Sequence, residues 1–338
     1  MIEARILERL AALLALVALA FAAPVAAQNA TSDRIAVELV AEGAPQPGET
    51  WMLALHFTPS SAEWHGYWSN PGDAGLGMQL DWDLPEGWQA GAPLYPLPQR
   101  LVIGGLMNHV YEGDYAVLVP ITVPKGAAGA QAAPIGVTAS YLACTDAICV
   151  PQRAALSLDP ARVGADPRFD RWRAEVVPPL DSDAQFEFTP THLRIGVPVP
   201  AATALREPHF YLGTGQLGEE DRPRYAGQQR FIREGDLLVV EMPIEPFAVP
   251  PGVELAGEPR PQTIAGILDF GAGRGVRFTA VPGEVPLEGA EPLGGSGEPV
   301  LWRLLLAALA GGVLLNIMPC VFPILSLKAL ALAKAGGD

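Results

Sequence analysis

Short alternating apolar runs, interrupted by proline and glycine, are the feature that most restricts the fold of this chain. Its 338 residues include 34 Pro and 36 Gly, and turn formers at this density leave little room for long amphipathic helices. Between residues 33 and 160 the apolar positions repeat every second residue, as in strands with one buried face. Strand candidates are residues 35–39, 51–57, 78–84, 115–123, 135–142 and 154–158. About seven short strands over this length predict a β-sandwich of the immunoglobulin type.

Residues 161–180 differ from the strands on either side because they are charged and carry apolar residues at helical spacing. Phe169, Trp172 and Val176 would lie on one face of a helix, and a double proline follows. We expect a helical linker here. Strand patterns resume in residues 181–286, which predict a second, smaller, sandwich-like β domain. This domain contains no cysteine, so we expect it to serve as a scaffold or a docking surface.

The N-terminal residues have the organisation of an export signal. Arg5 and Arg9 precede an apolar stretch from Leu10 to Phe21, and small residues follow before a predicted cleavage site. We therefore assign residues 1–27 to a signal peptide, with an uncleaved anchor helix as the alternative. Export from a bacterium would place the following residues in an oxidising compartment, where cysteine pairs become disulfides unless they are actively reduced.

An apolar run near the C-terminal end is long enough to cross a membrane. Residues 287–299 predict a linker rich in Gly, Pro and Glu, and no charged residue occurs between Arg303 and Lys328. At about 1.5 Å per residue this stretch exceeds the roughly 30 Å hydrocarbon core, so residues 300–335 predict a first transmembrane helix, with a buried core helix as the alternative. Lysines after the span place its far end in the cytoplasm. We expect the front part of a longer protein of the bacterial inner membrane, with residues 28–299 in the periplasm.

The charge and the histidine pattern exclude some partners. A formal net charge of −15 at pH 7 argues against nucleic acid, because phosphate binding requires a basic surface. The five histidines have no ligand spacing and the six methionines are dispersed, which argues against direct binding of copper or another metal. We expect no cofactor, and proteins or small solutes as partners.

The two cysteines outside the apolar run lie close together at a predicted hairpin. Cys144 and Cys149 flank four residues, so their thiols can meet at an accessible tip. A structural disulfide is one interpretation, although closing so short a loop stabilises by only about 2 kcal/mol; a metal clip is another. We favour a redox-active pair, because exchange requires an accessible disulfide with a second thiol near enough to resolve the mixed intermediate. No lysine or histidine lies in the loop, and Asp146 would keep the thiol pKa high, so the loop shows no built-in activation.

The third cysteine, Cys320, lies between Pro319 and Pro323 in the apolar run. Prolines remove backbone donors, and irregular backbone at membrane depth is tolerated only where protein or a water-filled cavity covers it. A packing cysteine in a helix is the alternative to a redox role. A redox role would require a partner thiol beyond Asp338 or in another chain.

Three stretches carry a family resemblance: HGYWSNPGDAGL in the first domain, YLACTDAICVP at the cysteine hairpin and LNIMPCVFPILSLKAL in the apolar run. They resemble the DsbD family of thiol:disulfide interchange proteins, and more closely its ScsB-like branch. The resemblance implies a protein-disulfide reductase. Electrons from cytoplasmic thioredoxin would pass through membrane cysteines and a C-terminal thioredoxin-like domain, and the N-terminal domain would deliver them to periplasmic proteins.

The resemblance also implies roles for the cysteines and the nature of their partners. Cys144 and Cys149 would be the redox pair, with Cys149 as the site of the mixed disulfide, and Cys320 would be the first membrane cysteine. Partners would be periplasmic thioredoxin-fold proteins similar to ScsC, DsbC or CcmG, acting in cytochrome c maturation or in defence against copper or oxidative stress. Further membrane helices would belong to the same full-length protein.

In this family a cap loop shields the cysteine pair, and its position before a strand places it at residues 107–112 here. His109 and Tyr111 are the candidates for contact with the disulfide, and Tyr141 and Pro151 are further contact candidates.

A competing interpretation is a periplasmic binding or assembly module, in which the sandwich contacts proteins, the disulfide is structural and the apolar run is a plain anchor. For Trp64, Tyr67 and Trp68 we favour an aromatic core cluster over a docking face.

Overall fold

Strands dominate the structure, which confirms the prediction of a mainly β chain. The predicted signal peptide, Cys320 and most of the predicted transmembrane segment lie outside the described residues. No helix within the described part of the chain has the length and hydropathy of a membrane span. The computed structural model describes residues 33–126, 133–213, 217–218, 221–246, 260–287, 291–293, 305–306 and 308–312.

The first domain contains two sheets. A four-stranded sheet has the order β1-β2-β8-β5, and a six-stranded sheet has the order β10-β9-β3-β7-β6, with β4 paired to β9. The strands are β1 (Ile35–Ala41), β2 (Thr50–Pro59), β3 (His65–Gly72), β4 (Gln79–Asp83), β5 (Gln89–Ala90), β6 (Gln99–Ile103), β7 (Leu106–Glu112), β8 (Tyr115–Thr122), β9 (Ile135–Cys144) and β10 (Cys149–Leu158).

The two sheets share one hydrophobic core, so the first domain is a sandwich. Leu53, Leu55 and Phe57 on β2 are fully buried, and every second residue of β9, among them Ile135 and Val137, is buried in the same core from the other sheet. Complete burial of each such side chain stabilises the fold by about 1.5–3 kcal/mol. This arrangement is consistent with the immunoglobulin-like architecture expected from the alternation.

The segment expected as a helical linker is packed against the first domain. After a 3-10 turn (Pro160–Arg162), helix α1 (Arg168–Glu175) buries Phe169 and Trp172. These two side chains cluster with Leu118 and other residues on the outer side of the four-stranded sheet. The helical spacing of the apolar residues therefore reflects a docked helix.

The second domain is one continuous sheet of nine strands in the described part of the chain, with the order β13-β17-β18-β11-β12-β16-β15-β19 and β14 paired to β16. A parallel pair between β11 and β18 joins its two halves. The strands are β11 (Ala184–Phe188), β12 (His192–Pro198), β13 (His209–Leu212), β14 (Asp221–Pro223), β15 (Arg230–Glu234), β16 (Leu237–Pro246), β17 (Ile264–Gly271), β18 (Arg274–Pro282) and β19 (Glu291–Leu293).

Polar and aromatic side chains join the two domains. The buried amide of Asn70 on β3 donates to the carbonyl of Leu212 at 2.6 Å and to the Tyr225 hydroxyl at 2.8 Å. Trp68 packs edge-on against Tyr211, with ring centroids 6.0 Å apart. Because hydrogen bonds in a buried site are costly to lose, this contact fixes β3 against the second domain.

Two buried histidines from the two domains meet in the same contact. His109 on β7 donates from Nδ1 to the carbonyl of Asn70 at 2.9 Å, and its ring lies 6.2 Å from that of His209 on β13. Burial lowers the pKa of His109 to about 4 and that of His209 to about 3. Both rings are therefore neutral in the folded protein at neutral pH.

We predict that acid weakens the fold through these histidines. An unfolded histidine binds its proton near pH 6.5, whereas the folded ones do so only near pH 4 and pH 3, so stability is full above pH 6.5 and falls as the pH decreases towards 4. The loss should be roughly 2 kcal/mol per histidine between pH 6.5 and pH 5. Urea unfolding at pH 7.5 and pH 5 measures it, with a His209→Gln variant expected to show the smaller pH dependence. Equal pH dependence in the two proteins would contradict the prediction.

Candidate active site

Cys144 and Cys149 form a disulfide across the β9–β10 hairpin. They are directly opposite each other in the antiparallel register, with an S–S bond of 2.05 Å and Cα atoms 4.1 Å apart. Hydrogen bonds hold the turn between them in addition to the disulfide. The Thr145 amide donates to the carbonyl of Ile148 at 2.8 Å, and the Thr145 hydroxyl accepts from the amides of Ala147 and Ile148.

The two sulfur-bearing residues differ in exposure. Cys144 is fully buried and clusters with Tyr67 and Val110, whereas Cys149 is exposed. The neighbouring Ile148 is also exposed, at 56% of its surface. A protein that approaches the hairpin therefore reaches Cys149 first, and an apolar side chain lies beside it.

Tyr67 packs beneath the exposed cysteine. The Tyr67 hydroxyl lies 4.0 Å from the Cys149 sulfur. Burial raises the pKa of this hydroxyl above its ordinary value, so the hydroxyl stays protonated and can donate a hydrogen bond. Gly75 fits against the ring because it lacks a side chain: a Cβ there would lie 2.4 Å from Tyr67, and its φ of +98° also favours glycine. Tyr67 is therefore held in place from two sides.

His65 lies opposite the buried cysteine. It pairs with Cys144 across the contact between β3 and β9, is only 3% exposed, and packs edge-on against Tyr67 at 5.6 Å. Burial lowers its pKa, and the carboxylates of Asp146 and Glu112 act in the opposite direction. The ring lines a cleft of about 440 Å³ that also contains Glu63, Leu101 and the hairpin residues Thr145, Asp146 and Ala147.

This arrangement is suited to disulfide exchange at one sulfur. A thiolate attacks a disulfide along the S–S axis, and it needs access to the sulfur that it bonds. The exposed Cys149 offers that access, while Cys144 is enclosed in the cluster. A partner would thus become covalently attached through Cys149.

The segment expected to be a cap loop is strand β7, so the expectation of a loop was wrong. Residues 107–112 pair with β3 on one side and β6 on the other. Val110 is the residue of this strand that packs with Cys144. The cysteine is therefore covered by strand residues, and alternation directs the neighbours of Val110 to the opposite face.

His109 and Tyr111 lie on that opposite face. His109 contacts Asn70 and the aromatic rings of the second domain, as described above. Tyr111 donates to the carbonyl of Pro96 at 2.8 Å and stacks on Tyr115 in the sandwich core. Neither residue has Cys144 or Cys149 among its described hydrogen-bond or ring partners.

The other contact candidates are divided between the two faces. Tyr141 is in the sandwich core, where its hydroxyl donates to the carbonyl of Ile35 at 2.6 Å. Pro151 is exposed, pairs with Leu142, and lies two residues from Cys149 on the same side of β10. Pro151 is therefore the candidate that borders the exposed sulfur.

His65 and Tyr67 are the site residues that sequence reasoning missed. Trp64 and Trp68 belong to the sandwich core as expected, but Tyr67 belongs to the Cys144 cluster. The alternation along β3 separates Tyr67 from Trp68, which was a usable signal. The pairing of His65 with Cys144 depends on a contact between residues far apart in the sequence, and no local pattern encodes it.

We predict that the two thiols of the reduced protein react at different rates. Iodoacetamide should modify Cys149 about tenfold or more faster than Cys144, because the buried thiol reacts only when its surroundings open. Peptide mapping by mass spectrometry measures both rates. In guanidinium chloride the rates should converge; equal rates in the native protein would show that Cys144 is not protected.

Comparison with known proteins finds matches to the first domain. The family model described as "Thiol:disulfide interchange protein DsbD, N-terminal" matches residues 32–160. The crystal structure of the N-terminal periplasmic domain of ScsB from Proteus mirabilis matches with a TM-score of 0.55 and 15% identity, over 75% of this chain and 95% of that one. At that identity the likeness shows the fold alone.

A second structural match has a TM-score too low to indicate a shared fold. The crystal structure of the Pseudomonas aeruginosa CupB2 chaperone gives a TM-score of 0.18 at 10% identity, over 72% of this chain and 100% of that one. No curated protein matches the sequence of this chain.

Proposed function

Residues 32–160 form a domain of the DsbD N-terminal family, within the thiol:disulfide interchange proteins, and on that premise we propose that the Cys144–Cys149 pair is a protein-disulfide reductase centre. It would pass electrons to periplasmic disulfide proteins. The observation that carries the proposal is the pairing of an exposed sulfur with a buried one in a single cross-strand disulfide.

The reaction proceeds in two exchanges. The thiolate of Cys149 attacks a disulfide of the partner, forms an S–S bond with one partner sulfur and releases the other as a thiolate. The thiolate of Cys144 then attacks the Cys149 sulfur, which restores the Cys144–Cys149 disulfide and frees the partner as a dithiol. Two electrons pass to the partner, and an upstream dithiol returns the pair to its reduced form by the reverse steps.

The small ring of this disulfide favours a reversible bond. Only four residues separate the cysteines, so the bond stabilises the fold by about 2 kcal/mol in the chain-entropy model. The ladder between β9 and β10 continues for nine further residue pairs, and Thr145 holds the turn. The hairpin therefore persists when the bond is broken.

The donor and the acceptors that we propose are inferred from the family. DsbD N-terminal domains are periplasmic parts of membrane proteins and interact with thioredoxin-fold proteins. We propose that this domain receives electrons from a thioredoxin-like domain of the full-length protein, through membrane thiols that include Cys320 and ultimately from cytoplasmic thioredoxin. The acceptors would be periplasmic thioredoxin-fold proteins, and residues 28–299 would lie outside the inner membrane.

We predict opposite outcomes for the two cysteine variants. Cys149→Ser should abolish reduction of a periplasmic thioredoxin-fold substrate, because no accessible thiolate remains. Cys144→Ser should accumulate a covalent complex through Cys149, because the resolving thiol is missing. Non-reducing gel electrophoresis and mass spectrometry detect the complex, and reductant should dissolve it. Reduction at the native rate by both variants would refute the role of the pair.

A structural disulfide in a protein-binding module is the second candidate, and the complete burial of Cys144 is the observation that favours it. A redox titration separates the two functions. We expect a potential above about −300 mV for an exchanging pair, whereas a lower value marks a bridge that resists reduction. Equilibration with graded thiol buffers, followed by quantitative alkylation, measures the potential.

A further inference from the structure

His65 is the histidine that the register places beside the cysteine pair. Residues directly opposite in an antiparallel ladder have Cβ atoms about 4.5–5.5 Å apart on the same face of the sheet. His65 and Cys144 are such a pair, and both are buried, at 3% and 0% exposure. The side chains of His65 and Cys144 therefore start from neighbouring positions on one face of the sheet.

The imidazole has an unused polar atom. His65 Nε2 is buried and has no hydrogen-bond partner among the described residues. A buried polar group without a partner is costly, and such groups often have a chemical role in one state of a protein. In the oxidised protein Cys144 carries no proton to exchange, so an unpaired imidazole nitrogen is consistent with a partner that exists only after reduction.

Burial lowers the pKa of His65, and two nearby carboxylates offset part of that effect. Asp146 on the hairpin and Glu112 on β7 both favour the protonated form of His65, and Glu63 lines the same cleft. Tyr67 packs against the ring and stays neutral. The negative charges of these carboxylates would repel an isolated thiolate on Cys144. A thiolate beside an imidazolium forms a pair with no net charge, so this repulsion is reduced.

Resting on the function proposed above, we propose that His65 accepts the proton of Cys144 when the pair resolves the mixed disulfide. The proton moves from the Cys144 sulfur to the imidazole, leaving a thiolate and an imidazolium. The thiolate bonds to the Cys149 sulfur as the Cys149–partner bond breaks, and the partner leaves as a thiolate that takes up a proton from His65 or from water. In the reverse direction Cys144 is the leaving group, and the same imidazolium stabilises it.

The first test is the acidity of Cys144 in the full chain with Cys149→Ser and Cys320→Ser, which leaves one thiol. Thiolate absorbance at 240 nm as a function of pH should give a Cys144 pKa below the ordinary value of about 8.5. His65→Gln in the same chain should raise it by about one unit. His56→Gln is the matched control, because His56 lies in the other sheet beside Glu38, and it should change nothing. In the single-thiol chain that retains His65, a Cys144 pKa at or above the ordinary value would overturn the proposal. This outcome does not depend on whether the His65 and His56 variants fold.

The second test measures resolution directly. The reduced Cys320→Ser chain is mixed with 5,5′-dithiobis(2-nitrobenzoate), so that Cys149 forms a mixed disulfide and Cys144 then expels a second thionitrobenzoate. His65→Gln should slow this second release about threefold to tenfold at pH 7. Without the imidazole a smaller fraction of Cys144 is ionised, and the higher nucleophilicity of each remaining thiolate offsets only part of that loss. The rates should converge near pH 9.5, which a merely structural role would not produce. His65→Asn repeats the measurement in case the first variant folds poorly.

An unchanged rate and pH profile in both His65 variants would overturn the proposal. Neither test uses a protein partner, so the result is independent of the proposed reductase function. A chain that shows the His65 effect but never reduces a thioredoxin-fold protein would refute that function and leave the role of His65 intact.

Discussion

The register of β9 is the constraint on which the site depends. Its core-facing residues, among them Val137, Ala139 and Tyr141, are buried in the sandwich, and a shift of one residue would move all of them to the outer face. Burial of these side chains therefore fixes Cys144 on the outer face. The same register sets Cys149 opposite it on β10 and His65 opposite it on β3. The energy that specifies the position of the sulfur atoms thus comes from apolar packing on the other side of the sheet.

The second domain reinforces two strands of this sheet. β3 carries His65 and Tyr67 near one end, and near its other end Asn70 donates to the backbone and to Tyr225 of the second domain. β7 carries Val110 against Cys144, while the adjacent His109 packs on the rings of that domain. These contacts join the second domain to the strands that border the sulfur atoms, and its role as a scaffold stays a prediction.

Local pattern was enough to predict much of the fold and part of the site. Alternation located β1, β2, β8 and β9, and helical spacing located α1 through Phe169 and Trp172. The hairpin and its cysteine pair followed from the same reasoning. The strand β7 was expected to be a loop because the family resemblance placed a cap loop there, whereas Asn108 and His109 are buried through contacts with distant strands. His65 was missed for a related reason: the loop was searched for a basic residue, whereas the basic residue lies across the sheet.

The hairpin is held by more than its disulfide. Thr145 and the ladder form hydrogen bonds that do not involve the sulfur atoms, and each sulfur atom needs its own stabilisation once the pair is reduced. At Cys149 that stabilisation comes from solvent and the Tyr67 hydroxyl. At Cys144 solvent is excluded, and a buried thiol without a proton acceptor would remain protonated and unreactive. A neighbouring imidazole removes that obstacle without opening the cluster, which allows one sulfur to stay protected while the other meets the partner.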